Sequence, residues 1–141
     1  MRFSPTHRFF SQMTHLEIFY TAEHSSTWLA RLPLLPQLSH FSFADVDLLP
    51  ICPDLLQACK LLAVLAYLAD TDIDGYTSPP LPPLFQDIRF VLVTPVYSGP
   101  DWIRGIETGM DYWKRAEMFI AQRRSGEIEA SQYRIDIPAP P

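Results

Sequence analysis

Leu35-Pro36-Gln37-Leu38-Ser39-His40-Phe41-Ser42-Phe43 sets apolar side chains at its first, fourth, seventh and ninth positions, a loose L-x-x-L-x-x-L-x-L pattern. The same spacing occurs at Phe10, Met13, Leu16 and Ile18 and again at Cys59, Leu62, Leu65 and Tyr67, with a weaker copy at Leu84, Phe90 and Leu92. The copies recur about every 25 residues. A fixed period in this range marks a chain wound into stacked coils, each a short strand followed by a helical or irregular return. The expected architecture is α/β, a short solenoid of about four coils whose strands form a parallel sheet.

Period and spacing are those of leucine-rich-repeat coils. Strands are predicted at about residues 15–20, 39–44, 62–68 and 88–94. Between them, Ser25-Ser26-Thr27 followed by Trp28, Leu29 and Leu32 reads as a short capped helix stopped by Pro33 and Pro36. Pro53-Asp54-Leu55-Leu56-Gln57-Ala58-Cys59 reads as a second, with Pro53 at its first position, where a missing N–H does no harm. The third return, Thr77 to Pro83, is expected to be an extended loop because successive prolines remove donors and fix φ.

After the last strand the pattern turns helical. Trp102, Ile106, Met110, Trp113 and Ile120 recur at helical spacing, Ser98-Gly99-Pro100-Asp101 is a start signal and Ser125-Gly126 a stop. Gly105 and Gly109 weaken the first turns by about 1 kcal/mol each relative to Ala, which moves the expected start of the continuous helix to near Met110. The domain reading is residues 1–97 as leucine-rich-repeat-like coils, 98–130 as a C-terminal helical cap and 131–141 as a Pro-rich flexible tail. Met1 to Arg8 offers no matching cap for the first coil, which raises the expectation that the chain is a piece of a longer protein.

Composition narrows the partners. The 141 residues suit one domain, and 16 acidic against 11 basic side chains leave a net charge of −5 with no basic cluster beyond Arg123-Arg124. A surface that tracks nucleic-acid phosphates is not expected. Cys52 and Cys59 form neither a C-x-x-C pair nor a spaced framework and read as buried reduced thiols, hence a cytoplasmic or nuclear setting. The longest apolar run, Leu61 to Ala69, is far short of the roughly 20 residues that span a bilayer, and the N-terminus lacks a secretory apolar stretch; a soluble, non-membrane chain is expected.

The expected binding surface is the concave sheet face, whose residues alternate with the repeat leucines: His15, Glu17 and Phe19; His40, Ser42 and Ala44; Val64, Ala66 and Leu68; Arg89, Val91 and Val93. Its first half is polar and its second half apolar. If the C-terminal helix caps the end of the solenoid the whole strip is available to a partner, with His15, Glu17, Phe19, His40, Ser42, Val64, Ala66 and Arg89 as contacts. If it folds over the face, only His15, Glu17, His40 and Ser42 remain. A monomer, or one member of a larger complex, is expected.

Three constellations bear on chemistry. Asp70, Asp72, Asp74 and Gly75 match the opening of a calcium loop, but the twelfth position is Leu81 where a bidentate Glu is needed, so an acidic solvated loop is the favoured reading. His15, Glu17 and His40 supply two imidazoles and a carboxylate on one face of adjacent strands, a set suited to iron or zinc; polar spacers between repeat leucines are the favoured reading, and neither a metal nor a cofactor is expected. Pro79 to Pro83 reads as a spacer more readily than as a ligand for an SH3 or WW domain. No G-x-S-x-G elbow, phosphate-binding glycine loop or H-E-x-x-H occurs, so no enzyme is expected.

The runs Met13 to Ile18, Leu35 to Phe43 and Leu55 to Leu65 resemble the C-terminal repeats of the large F-box-like proteins of mushroom-forming fungi. Asp111-Tyr112-Trp113-Lys114-Arg115-Ala116-Glu117-Met118-Phe119-Ile120-Ala121 with Arg123-Arg124-Ser125-Gly126-Glu127-Ile128 is similar to their closing segment, so that the likeness covers about residues 13–135. The resemblance implies a leucine-rich-repeat substrate-recognition half whose N-terminal F-box docks on a cullin-type ubiquitin ligase. This sequence departs from that plan in having no F-box-like helical segment ahead of the repeats.

Overall fold

The computed structural model describes residues 11–18, 25–68, 87–94 and 111–136. Five strands, β1 (His15–Ile18), β2 (His40–Phe43), β3 (Val64–Leu68), β4 (Phe90–Thr94) and β5 (Arg134–Asp136), form one sheet in sequence order with every pair parallel. The helices are α1 (Ser25–Arg31), α2 (Cys52–Ala58) and α3 (Tyr112–Ser125), with 3-10 turns at Leu32–Leu34 and Val46–Ile51. The parallel α/β architecture and the C-terminal helix are as expected.

The register aligns the repeat positions. Leu16 pairs with Phe41, Phe41 with Leu65 and Leu65 with Phe90, and two residues on Ile18, Phe43, Tyr67 and Leu92 align in the same way. These rungs face α1, α2 and the 3-10 turns, where Trp28, Leu32, Leu48, Cys52, Leu55 and Leu56 complete a core. A side-chain period of two puts the intervening residues on the opposite face. There Val64, Ala66, Leu68, Val91 and Val93 meet Tyr112, Ala116 and Ile120 of α3 in a second core. β3 is therefore buried on both faces, which is why it reads as an unbroken apolar run.

Two expectations are corrected here. The C-terminal helix does not cap the end of the sheet: α3 lies over the sheet face, because the strip from Val64 to Val93 is its only apolar counterpart on that side among the described residues. The edge of β4 is covered instead by β5, so residues 134–136, read as flexible tail, are a paired strand. β5 forms because Leu92 N–H donates to the Tyr133 carbonyl at 2.7 Å and Tyr133 packs near Phe90. The Asp70 to Gly75 loop, Thr77 to Pro83, Phe19 and residues 98–110 lie outside the described residues.

α1 and α2 sit on one face and α3 on the other, yet the strand order never reverses. The β4–α3–β5 connection must therefore wind with the opposite hand to the β1–β2 and β2–β3 connections. One of the two hands departs from the right-handed rule that about 98% of such crossovers obey. Among the described residues no helix is long and apolar enough to cross a membrane.

Candidate functional site

The polar end of the second sheet face gathers the most chemistry. His15 and His40 are register partners, one coil apart, and their rings stack with centroids 3.9 Å apart and planes 10° from parallel. Each ring is steadied by the hydroxyl just before it in sequence. Thr14 Oγ1 lies 2.8 Å from His15 Nδ1, and Ser39 Oγ lies 2.7 Å from His40 Nδ1. Thr14 and Ser39 thus repeat at the same interval as the histidines, and Trp113 of α3 meets both rings edge-on at 5.3 and 5.5 Å.

α3 brings two further groups to this end. Its N-cap is Asp111, whose carboxylate accepts the Lys114 N–H at 2.9 Å, and this start fixes the rotation that turns Tyr112, Ala116, Ile120 and Arg123 onto the sheet. Trp113 and Glu117, one turn apart, then flank the histidine pair. Glu117 Oε1 is 2.7 Å from His40 Nε2. Tyr112 donates its hydroxyl to Glu17 Oε2 at 2.5 Å and lies 3.1 Å from Ser42 Oγ. Partial burial of the His15 ring, followed by the charge of His40 beside it, lowers the His15 pKa, although the residue as a whole stays exposed; Glu117 and Asp111 pull the other way.

The sequence-predicted contacts divide into four groups. His15 and Glu17 are exposed at the open end of the face. His40 and Ser42 are buried but polar and bonded, whereas Val64 and Ala66 are core beneath α3 and cannot meet a partner. Arg89 is not a face residue. It precedes β4 in a turn, and its guanidinium donates to Asp87 and to the carbonyls of Leu56 at 2.8 Å and of Cys59 and Leu62 at 3.3 Å. Those carbonyls close α2 and lead into β3, so alternation fails where the strand has not yet begun. The Asp87 pKa is lowered, chiefly by the hydrogen bonds from Arg89, and the Arg89 pKa is raised by the same contact.

Reading the sequence missed Glu117, Tyr112 and Trp113 as site residues, and the candidate trio of His15, Glu17 and His40, for which polar spacers are the favoured reading, does not converge. Glu17 turns to Tyr112, and Glu117 takes its place beside the imidazoles. A signal for the exchange lies in the sequence, since Trp113 and Glu117 stand one helical turn apart outside the buried stripe. Cys52 and Cys59 are free and buried, and burial pushes both thiols up, so neither is a thiolate at neutral pH. Two of the clefts that open among the described residues are of similar size. One of about 270 Å³ borders Glu117 and is lined also by Val64, Ile120 and Arg124. The other, of about 260 Å³, lies between Leu32–Leu38 and Ala58–Leu61, with Leu61 72% exposed at its rim.

Compared with protein-family models, with curated proteins and with solved structures, the chain matches none.

Proposed function

We propose that the chain is a non-catalytic protein-interaction module of the leucine-rich-repeat kind, the substrate-recognition part of an F-box-like ubiquitin-ligase adaptor. The observation that carries this reading is the strand ladder. Its rungs align the repeat positions in adjacent strands at fixed spacing, which is the rigid parallel surface that repeat proteins present to partners. Because α3 occupies the apolar part of the face, recognition falls to the polar end, where exposed His15 meets Trp113 and exposed Glu17 accepts from Tyr112. An aromatic and a few charged groups grouped in this way suit a protein contact that rests on a small number of anchors. The module acts by recruitment and contributes no reacting group.

A free-standing interaction domain with no ligase link is the second reading. It is favoured by the two cores that cover both faces of the sheet. Mapping the 5′ end of the transcript separates the two. An in-frame F-box-like helical segment, with co-purification of the longer protein and the adaptor subunit of a cullin ligase, is the result expected from the adaptor reading. A longer protein that lacks the segment, or that fails to co-purify, removes the ligase and leaves the free-standing module. Independently, a photo-crosslinking residue at Glu17 should trap a partner that the same residue at Arg124 does not.

A further inference from the structure

We propose that His15, His40 and Glu117 form a binding site for a divalent transition-metal ion of the zinc class, held by two imidazole nitrogens and one carboxylate oxygen with a further position open. One ligand atom from each residue lies within 4.8 Å of the other two. The donor set is itself selective: imidazoles suit zinc, copper and iron, whereas calcium and magnesium take oxygen ligands. Three protein ligands with an open position is the arrangement zinc adopts where it meets a further ligand.

The surroundings suit the role. A metal-binding histidine normally donates its second ring N–H to a fixed acceptor, which sets the tautomer and aims the other nitrogen. Thr14 and Ser39 supply such acceptors at both Nδ1 atoms. The hydroxyl of Ser39 has an outlet for its own hydrogen in the Thr14 carbonyl at 3.2 Å, which leaves its oxygen able to accept from His40 Nδ1. His40 Nε2 is thereby directed at Glu117.

Nε2 of His40 and Oε1 of Glu117 already lie 2.7 Å apart, a hydrogen-bond separation that holds both ligand atoms toward one point. A metal ion replaces that hydrogen bond and takes His15 as its third ligand, with the charge of Glu117 partly neutralising it. Zinc bonds of about 2.0–2.1 Å at tetrahedral angles bring ligand atoms to about 3.3 Å apart, so the parallel rings tilt toward each other as they close on the ion. His15 is exposed at the open end of the face, which leaves the remaining position accessible to solvent. Lys114 Nζ, 3.8 Å from the second oxygen of Glu117, is exposed and competes weakly.

The proposal is independent of the adaptor reading, and it reverses the expectation that no metal is bound. Its test is calorimetric titration of the full chain with zinc chloride, paired with cobalt(II) absorption as a geometric readout. One equivalent of zinc with a cobalt spectrum in the tetrahedral intensity range is expected. His15→Gln and Glu117→Gln should each weaken binding by about tenfold or more while the metal-free melting temperature stays near that of the parent chain. Asp72→Asn should leave zinc binding unchanged. Absence of heat and of a cobalt spectrum at micromolar protein overturns the site. So does binding that survives both His15→Gln and Glu117→Gln, or that is lost in Asp72→Asn. Nitrogen NMR of the imidazoles supplies the second measurement: both Nε2 resonances should shift on adding zinc, and a shift confined to other histidines also overturns it.

Discussion

Arg123 carries a full charge into the joint between α3, β4 and β5, where the carbonyls of Ile88 and Phe90 at 2.9 Å and of Ala130 at 2.6 Å take the place of its hydration water. Burial lowers its pKa, and the Nε–H has no acceptor among the described residues. The planar fork spans three carbonyls that belong to different elements, so Arg123→Met should cost about 2–4 kcal/mol in denaturant unfolding, and Arg123→Lys should recover less than half of it. Asp87 and Arg89 make the corresponding joint on the other side, between α2 and β4. The folded Asp87 pKa lies below the ordinary carboxylate value of about 3.9, so its contribution is complete above that value and disappears as pH falls through the lower folded one. Asp87→Asn should therefore destabilise the chain at neutral pH, and the difference from the parent should shrink in urea titrations run below about pH 4. Neither joint was legible in the sequence, because each arginine bonds to backbone carbonyls of distant segments and carbonyls carry no sequence signal.

At the scale of elements, α3 is delimited by two local devices. Asp111 caps its start, and Gly126 ends it at φ 86°, a left-handed conformation where only glycine escapes strain. Asp111→Ala and Gly126→Ala should each cost about 1 kcal/mol, read as a lower melting temperature by circular dichroism. A Cβ at Gly126 meets nothing within 4 Å, so the second loss arises from backbone strain alone, and Gly126→Asn should recover part of it. The helix was legible from its spacing and its Ser125-Gly126 stop, and strands β1 to β4 from period two set inside a period of about 25 residues. β5 was not. Three residues in a proline-rich tail have too little pattern of their own, and they become a strand only because β4 offers an unpaired edge.

Over the whole molecule, the sheet separates two cores, and Phe41 and Leu65 share one rung of the first. Phe41→Ala and Leu65→Ala should each remove about 2–5 kcal/mol, enough to unfold much of a domain this size, whereas Leu16→Ala, half-exposed at the sheet end, should cost less; equilibrium denaturation of the three variants checks the ranking. The repeat spacing made the first core visible in the sequence. The second was visible only as a choice between two places for the C-terminal helix, since which surface an amphipathic helix covers depends on tertiary contacts that periodicity does not encode. The hydrogen bonds of Tyr112 with Glu17 and of Glu117 with His40 join residues 95 and 77 positions apart. During synthesis, which runs from the N-terminus, the first strand made must therefore wait for the last helix. Until α3 emerges, Val64, Ala66, Leu68, Val91 and Val93 stand open to water, and the nascent chain is a sticky half-molecule.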